Sequence, residues 1–329
     1  MRVLVIGGTR FVGRHLAEAA AARGHDVTVF HRGKTGTDVL PDAAHIFGDR
    51  DDDLALLKEG TWDATIDACA YVPRQVSELA DALGERAGQL AFVSTVSVYA
   101  EPMPNNSDED APRATLTDPD TEVVDEQTYG GLKVNCEAVA LDRFGAGTLI
   151  VRPTYVVGPY DYTHRFTYWV ERIAAGGAVL APGPRDYGIQ LIDARDQAEW
   201  TIAMLEKKSA GTFHTVSPAP PFTFEQMLQT IVEAVGPAGT SLVWVDGDFL
   251  NAQGVDGDDL PLWAGGASDD PGMACDPSRA MTAGLSPRPL AQTIRETLEH
   301  EQATPTPSEG TGMTRARESE VLEAWANRS

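Results

Sequence analysis

The chain has 329 residues, 26 of them basic and 49 acidic, so its formal net charge is −23 at pH 7. This charge repels polyphosphate backbones, and no Lys/Arg run forms a basic stripe, so we expect no binding to nucleic acid. The sequence lacks an early apolar segment and a long apolar span, which argues against secretion and membrane insertion. Three cysteines (Cys69, Cys136 and Cys275) and seven histidines show no metal-ligand spacing, so we expect a cytoplasmic protein with reduced thiols and no metal.

The first residues predict a dinucleotide-binding turn. Residues 2–6 form an apolar, β-branched run typical of a buried parallel strand, and residues 14–23 form an alanine-rich helix. In the glycine-rich turn between them, Gly7 permits a tight bend and Gly13 permits close packing of helix on strand, whereas Arg10 stands where a glycine is commoner. Strand, glycine turn and helix together hold a pyrophosphate against a helix N-terminus, although a turn of another α/β protein is the alternative. The predicted cofactor contacts in the turn are Gly7, Thr9, Arg10, Phe11, Val12 and Gly13.

Strands and helices continue to alternate, and they predict an α/β fold with a doubly wound parallel sheet. The predicted strands cover residues 2–6, 27–30, 44–47, 64–67, 90–94 and 149–152. The predicted helices after the first cover residues 75–83, 130–144 and 314–327. Residues 101–126 are rich in Pro, Asp and Asn without periodicity, so we interpret them as a long loop over the active-site edge.

The same pattern divides the chain into domains. We assign residues 1–157, with 191–216 returning to them, to a dinucleotide-binding domain. Residues 158–190 and 217–301 are assigned to a smaller C-terminal α/β substrate lobe. Residues 302–329 are interpreted as a flexible linker, rich in Pro, Thr, Ser and Gly, followed by a C-terminal helix.

Tyr129 and Lys133 stand one helical turn apart, so their side chains project from the same face of the predicted helix. Free tyrosine has a pKa near ~10, and a fixed ammonium nearby is the simplest means of lowering it. A phenol beside an ammonium suits proton transfer at a carbonyl or alcohol carbon. The pair alone is weak evidence of function, but it follows a dinucleotide-binding turn, and we predict that both residues are catalytic.

Together these parts resemble the extended short-chain dehydrogenase/reductase family, in its NAD-dependent epimerase/dehydratase group. The resemblance extends from residue 1 to about residue 301. Residues 92–99 match the family's strand-five block, residues 151–159 its arginine-proline block, and residues 192–198 the stretch that returns the chain to the sheet. The resemblance implies a Rossmann fold and dinucleotide-dependent chemistry.

The resemblance also implies roles for single residues. In the family, the Ser or Thr four residues before the tyrosine of the strand-five block hydrogen-bonds the reacting oxygen. Counting back from Tyr99 gives Thr95, with Ser97 as runner-up and a hydroxyl-rich strand end without a chemical role as the alternative. Asp49 matches the family's acceptor for the adenine amine. The further expected cofactor contacts are Arg50, Ala68, Cys69, Ala70, Ser94, Tyr129, Lys133 and Pro153.

The end of the second strand bears on the choice of cofactor. An NAD-preferring site places an acid there to accept hydrogen bonds from the adenosine ribose. This chain has His31, Arg32 and Lys34 instead, with Arg10 expected nearby. Because a guanidinium can hold the extra phosphate through two charge-assisted hydrogen bonds, we predict NADP(H). A solvated basic turn that tolerates either cofactor is the alternative, so NAD(H) stays open.

Two departures from the family bear on the substrate. Members that bind nucleotide sugars usually carry an asparagine in the arginine-proline block, where this chain has Tyr155. They often carry an arginine shortly before the returning stretch, where this chain has Ile-Gln-Leu at residues 189–191 and Arg185 is displaced upstream. Both departures weaken the nucleotide-sugar hypothesis without excluding it. The predicted substrate contacts are Thr95, Ser97, Tyr155 and Arg165.

We therefore predict an NADP(H)-dependent oxidoreductase that transfers a hydride at a secondary alcohol or ketone of a small molecule. Tyr129 would be the acid/base, Lys133 would lower its pKa and hold the nicotinamide ribose, and Thr95 would orient the oxygen. One alternative is a nucleotide-sugar epimerase or dehydratase with tightly bound NAD. Another is a non-catalytic dinucleotide-binding or RNA-associated regulator, since some relatives with a similar glycine turn resemble chloroplast stem-loop RNA-binding proteins. We expect a monomer or homodimer.

Overall fold

The computed structural model describes residues 1–36, 38–104, 106–219, 222–264, 274–307 and 310–328. The chain divides into two compact units, each assembled from separate stretches. The first unit contains Met1–Val156, Ala194–Ser217 and Cys275–Pro287, and the second contains Val157–Asp193, Pro218–Ala274 and Arg288–Ser329. No helix in the described ranges is both long and apolar enough to cross a membrane.

The secondary structure alternates as predicted. The strands are β1 (Arg2–Ile6), β2 (Asp26–His31), β3 (Ala44–Phe47), β4 (Ala64–Asp67), β5 (Gln89–Val93), β6 (Leu149–Pro153), β7 (Tyr155–Val157), β8 (Ala178–Pro182), β9 (Leu191–Asp193), β10 (Gly211–Thr215) and β11 (Ser241–Val245). The helices are α1 (Phe11–Ala22), α2 (Pro73–Leu83), α3 (Tyr129–Phe144), α4 (Arg165–Ala174), α5 (Ala194–Glu206), α6 (Phe224–Val235), α7 (Gly247–Ala252), α8 (Ser278–Thr282), α9 (Leu290–Ala303) and α10 (Arg315–Ala326). Short 3-10 helices cover Leu54–Leu57, Gly84–Ala87 and Val96–Val98.

Seven strands of the described first unit form one parallel sheet in the order β10-β6-β5-β4-β1-β2-β3. The central strand β1 is buried from Val3 to Ile6, as expected for a strand covered on both faces. Helix α1 packs against α5, and α2 packs against α3. The arrangement confirms the predicted doubly wound α/β fold. The order of the strands reverses between β1 and β4, which is where such sheets bind ligands.

Several element boundaries differ from the predictions by one to three residues, and two of the differences have clear local reasons. Helix α1 begins at Phe11 rather than at residue 14, because Arg10 is the extended N-cap and the last residues of the glycine turn already belong to the helix. Strand β5 ends at Val93, since Thr95 has left the sheet to cap the 3-10 helix Val96–Val98 with its side chain. Strands β1, β3 and β4 have the predicted bounds.

Residues 275–287, which the sequence analysis assigned to the smaller lobe, belong to the first unit instead. Cys275 pairs with Ser107 in an isolated parallel bridge. Arg279 forms ion pairs with Glu109 and Asp110. These partners lie more than 160 residues earlier in the chain, so no local sequence pattern reports them.

The second unit contains the parallel pair β8 and β11 and the mutually packed helices α4, α6 and α9. Helix α10, which was predicted to follow a flexible linker, is bound to this unit by a buried ion pair. Glu318 accepts hydrogen bonds from Arg172 and from the backbone N–H of Leu180. Residues 308 and 309 of the predicted linker lie outside the described residues.

Candidate functional site

The predicted site residues of the first unit lie at one edge of its sheet. Because all seven strands are parallel, the segments that follow their carboxyl ends share that edge. The residues concerned are Gly7 to Gly13 after β1, His31 to Lys34 at β2, Asp49 and Arg50 after β3, Ala68 to Ala70 after β4, Ser94 to Ser97 after β5, and Pro153 at the end of β6.

The glycine turn has the geometry that a pyrophosphate requires. Gly7 has a φ of +81°, which confirms the predicted tight bend. A Cβ atom on Gly13 would lie 2.1 Å from the carbonyl oxygen of Gly7, which confirms that only glycine allows α1 to approach the turn so closely. Thr9 is buried and Arg10 is exposed. The turn therefore leaves room at the N-terminus of α1 for a dinucleotide phosphate, and the individual contacts stay predictions.

His31, predicted as a phosphate contact, is buried and instead pairs with the half-buried His45. The backbone N–H of Gly33 donates to His31 Nδ1 at 3.2 Å, so the ring proton lies on Nε2, which faces His45 Nδ1 at 2.9 Å. His45 Nε2 in turn donates to the carbonyl of Leu40. Burial, and secondarily the charge of His45, lowers the pKa of His31. Both ring nitrogens are thus engaged in a neutral chain that offers no positive charge to a phosphate.

Lys34 is exposed, and so is Arg32, the first residue after β2. Its side chain is 60% exposed, and its Nη1 lies 4.0 Å from Asp49 Oδ2. The carboxylate of Asp49 also accepts a hydrogen bond from the backbone N–H of Asp51. The structure therefore brings the predicted phosphate contact and the predicted adenine contact into one loose ion pair at the surface.

Arg50, predicted to contact the cofactor, instead turns inward. Its two terminal nitrogens donate to the two oxygens of Asp67 at 2.8 and 3.1 Å, and one of them also donates to the carbonyl of Gln75. Cys69 lies within 3.4 Å of the same guanidinium, and burial raises the pKa of its thiol. Arg50 thus links the loop after β3 to the end of β4 through a buried ion pair.

Lys133 is buried one turn into α3. Its Nζ donates to the carbonyl oxygen of Val93, the last residue of β5, at 2.7 Å. It also donates to the carbonyl oxygen of Ala70, in the loop after β4, at 2.9 Å. The ammonium also lies 4.2 Å from the centre of the Phe92 ring. Burial lowers the pKa of Lys133. The side chain therefore places a positive charge at the edge between β4 and β5.

Tyr129 is the first residue of α3 and is partly exposed. Its ring centre lies 6.4 Å from that of Tyr71, in a tilted arrangement. The spacing that predicted a shared helical face for Tyr129 and Lys133 is confirmed, since both belong to the same helix one turn apart.

Thr95 and Ser97 form a small hydroxyl cluster after β5. Thr95 Oγ1 accepts the backbone N–H of Ser97 at 3.1 Å and lies 3.2 Å from the Ser97 hydroxyl. The cap orients the Thr95 side chain, and its role toward a substrate stays a prediction. Tyr155 begins β7 in the same unit, whereas Arg165 begins α4 in the second unit, and their substrate contacts stay predictions as well.

Glu137, a buried carboxylate on α3, was not among the site residues predicted from the sequence. Glu137 pairs with Arg152 of β6 and with Arg113, and it accepts a hydrogen bond from Ser94. A signal was present, because Glu137 follows Lys133 by one helical turn on a helix with a buried face. Its partners come from three distant segments, which no spacing rule connects.

Comparisons with known proteins agree with this geometry. A sequence model of the NAD dependent epimerase/dehydratase family matches residues 3–216. The chloroplast stem-loop binding protein of 41 kDa b from Arabidopsis thaliana is 26% identical over 253 residues, which cover 71% of this chain and 63% of that protein. The chain thus spans less than two thirds of the length of this relative.

Several solved structures share the fold. The enzyme WbmH of Bordetella bronchiseptica, in complex with NAD+, superposes with a TM-score of 0.70 at 18% identity, covering 92% of this chain and 99% of that chain. UDP-glucuronic acid 4-epimerase from Bacillus cereus, in complex with NAD, gives 0.68 at 16% identity, covering 93% and 100%. The Thermus thermophilus UDP-glucose 4-epimerase complex with NAD gives 0.67 at 19% identity, covering 92% and 100%.

The matched range of the family includes the glycine turn, Thr95 and the Tyr129–Lys133 pair. It covers well over half of the 329 residues. The chain therefore belongs to the NAD dependent epimerase/dehydratase family.

Proposed function

We propose that the chain is a nucleotide-sugar epimerase or dehydratase that uses a bound NAD. The observation that carries the proposal is the buried Lys133 ammonium, held at the ends of β4 and β5 one helical turn from Tyr129. This is the arrangement needed to move a proton at an alcohol or ketone carbon beside a dinucleotide. The two sugar-nucleotide 4-epimerases with the same fold support the choice of an epimerase over a simple reductase.

The protein groups have distinct tasks in this chemistry. A bound NAD would supply reversible hydride chemistry at the sugar carbon without net consumption of the cofactor. Tyr129 takes the proton of the reacting hydroxyl and gives it back, and Thr95 holds the same oxygen in place. Within the described structure Lys133 uses two of its three N–H donors on carbonyl oxygens, which leaves one for the cofactor ribose. Its positive charge favours the phenolate form of Tyr129.

The end of β2 supports NAD as the cofactor. His31 is neutral and hydrogen-bonded through both nitrogens, so it does not attract the extra phosphate of NADP. The carboxylate of Asp49 lies beside Arg32 and offsets part of its charge. Arg32 is therefore a weaker phosphate contact than the sequence alone indicated, because a carboxylate lies next to its guanidinium.

An NADP(H)-dependent reductase is the second candidate, and Arg32 is the observation that favours it. Its side chain is 60% exposed at the end of β2, where an NAD-preferring site carries an acid. Tyr155, in place of the usual asparagine, also departs from nucleotide-sugar enzymes. In this candidate the same Tyr129 and Lys133 act on a ketone with a cofactor that exchanges after each turnover.

We infer that RNA is not a ligand of the chain, despite its similarity to a chloroplast stem-loop binding protein. The net charge of −23 opposes the approach of a polyanion within the range that salt leaves unscreened, about 8–10 Å at physiological ionic strength. Binding would need a local basic patch that overcomes this field.

The experiment that tests the proposal starts with the purified protein. It is denatured, and the released dinucleotide is identified by chromatography and mass spectrometry. The intact protein is then incubated with UDP-glucose, UDP-galactose and UDP-glucuronic acid, and the sugar configuration is followed by proton NMR. We expect co-purified NAD and conversion of at least one sugar nucleotide without added cofactor. Consumption of added NADPH with ketones, together with no change in any sugar nucleotide, would establish the reductase instead.

A further inference from the structure

Glu137 has all four of its carboxylate acceptor positions filled. Its Oε1 accepts the Ser94 hydroxyl at 2.5 Å and Arg152 Nε at 2.8 Å. Its Oε2 accepts Arg152 Nη2 at 2.6 Å and Arg113 Nη1 at 3.0 Å. A carboxylate can accept about four hydrogen bonds, so this one is saturated. The Glu137 side chain is also buried. A buried carboxylate with four hydrogen bonds is held in place more firmly than the carboxylate of an exposed ion pair.

The hydrogen bonds of Glu137 join helix α3 to the end of strand β5. Ser94 directly follows β5, and the preceding residue, Val93, accepts the Lys133 ammonium. Two consecutive residues of this strand end are therefore bound to α3, one through Lys133 and the other through Glu137. Arg152 extends the link to β6 and, through its Nη1, to the Tyr99 hydroxyl at 2.7 Å.

We propose that Glu137 is a positioning residue, which locks α3 onto the ends of β5 and β6 and so holds the Lys133 ammonium between its two carbonyl acceptors. The inference rests on the proposed function only in taking Tyr129 and Lys133 as the catalytic pair. Without the link to Ser94, the hydrogen bonds between α3 and this strand end are reduced to the Lys133–Val93 bond, beside the apolar packing of the helix on β5.

Glu137 also affects the pKa of Lys133 through its negative charge. Burial lowers the pKa of Lys133, and the negative or ionisable groups that oppose this are Cys136 and Glu137 on α3 and Asp67 at the end of β4. Arg50, which faces the site from the loop after β3, acts in the same direction as burial. Replacing Glu137 with a neutral residue therefore removes one of the charges that keep Lys133 protonated.

NMR of the lysine side chains tests the proposal without a substrate. The chain has five lysines, and four of them (Lys34, Lys58, Lys207 and Lys208) are not buried. Protein labelled with ¹³C,¹⁵N-lysine shows one outlying side chain, which Lys133→Met assigns. The Lys133 titration and the hydrogen exchange of its ammonium are measured in the unaltered protein and in Glu137→Gln. We expect the variant to show a further downward shift of the Lys133 pKa and faster exchange.

Two other variants complete the test. Glu318→Gln alters a buried carboxylate that pairs with Arg172 in the second unit, and we expect it to leave the Lys133 signals unchanged. Ser94→Ala deletes one bond of Glu137 and keeps every charge, so it should speed exchange of the Lys133 ammonium even if Glu137→Gln does not fold. Lys133 signals that stay unchanged in every folded variant of Glu137 and Ser94 would overturn the proposal. Since no turnover is measured, that outcome is separate from a failure to convert sugar nucleotides.

Discussion

A Cβ atom on Gly130 would lie 2.1 Å from the carbonyl oxygen of Ser97, so the first turn of α3 packs directly on the loop that follows β5. Tyr129 precedes this glycine, and Thr95 lies two residues before the serine and bonds to it. The close approach of the two backbones therefore sets the separation between the predicted proton donor and the hydroxyl predicted to orient the substrate. A side chain at residue 130 would have to push the helix away from the loop.

We expect Gly130→Ala to lower stability by about 1–3 kcal/mol, the usual cost of overpacking, and to reduce turnover more than it reduces NAD binding. The reason is that the added methyl group displaces Tyr129 from Thr95 and leaves the glycine turn at β1 untouched. Urea unfolding, NADH titration and steady-state kinetics check the three quantities. Gly147→Ala is the matched control, because a Cβ atom there has no neighbour within 4 Å. Equal turnover in both variants would contradict the prediction.

Much of the first unit could be predicted because its signals are local. The apolar run before the glycine turn and the bounds of β3 and β4 come from short-range periodicity, which tertiary contacts did not override. The Tyr129–Lys133 pair is a matter of helical spacing within a single element. Gly7 and Gly13 were identified correctly because the close approach of α1 to its own turn involves neighbours in sequence.

The directions of the polar side chains could not be predicted in the same way. His31 turns inward because its ring N–H donates a hydrogen bond to His45 on the neighbouring strand. Arg50 turns inward because its guanidinium donates hydrogen bonds to the carboxylate of Asp67. Each partner lies 14 or 17 residues away, and the pairing depends on strand order. The sequence showed basic residues at strand ends, where a phosphate contact and a buried ion pair have the same pattern.

The burial of His31 predicts a dependence of stability on pH. Burial lowers the pKa of His31, so the folded chain binds fewer protons there than the unfolded chain does. The stabilisation is present above the unfolded value of about 6.5 and is lost as pH falls through the folded value. In His31→Asn the amide oxygen can still accept from Gly33 but the side chain does not titrate. We expect the loss of stability between about pH 7 and 5 to be smaller in this variant. Parallel pH curves from urea unfolding would contradict this.

Arg32 predicts how the two dinucleotides differ in binding. The unaltered protein should bind NADH at least as tightly as NADPH, because Asp49 stands beside the guanidinium. Arg32→Ala should weaken NADPH binding by about tenfold, corresponding to one exposed charge-assisted contact, and leave NADH binding within about twofold. Fluorescence titration measures both. Arg23→Ala is the control, since Arg23 pairs with Glu206 at the opposite end of α1. Much tighter binding of NADPH by the unaltered protein would favour the reductase.

The docking of α10 within the second unit predicts that a change at Glu318 has a large effect on stability. Glu318→Ala leaves the buried Arg172 without its carboxylate, and we expect a loss of about 3 kcal/mol in the unfolding of the second unit. Glu320 on the same helix is exposed and pairs with Arg317, so Glu320→Ala should change stability by less than about 1 kcal/mol. Urea unfolding compares the two. Similar free energies of unfolding for both variants would mean that the docking of α10 contributes little to the stability of the second unit.

Tyr129→Phe gives the most direct test of the proposed chemistry. The change removes one oxygen from a partly exposed side chain, so the fold and NAD binding should be retained. Turnover of the sugar nucleotide should fall by about 10²–10⁴, the usual contribution of a positioned acid or base. Thermal unfolding, NADH titration and proton NMR of the sugar measure these three quantities.

Lys133→Met separates the two roles of the ammonium from that of the phenol. It removes the charge that favours the phenolate of Tyr129 together with the donor for the cofactor ribose, so both turnover and NAD affinity should fall. In the unaltered protein, turnover should rise with pH along a curve whose apparent pKa lies below that of free tyrosine, near ~10, and Lys133→Met should move this curve upward. Full turnover in Tyr129→Phe, on any substrate that the unaltered protein converts, would mean that another group carries the proton. The assignment of Lys133 as the partner of the phenol would then fail with it.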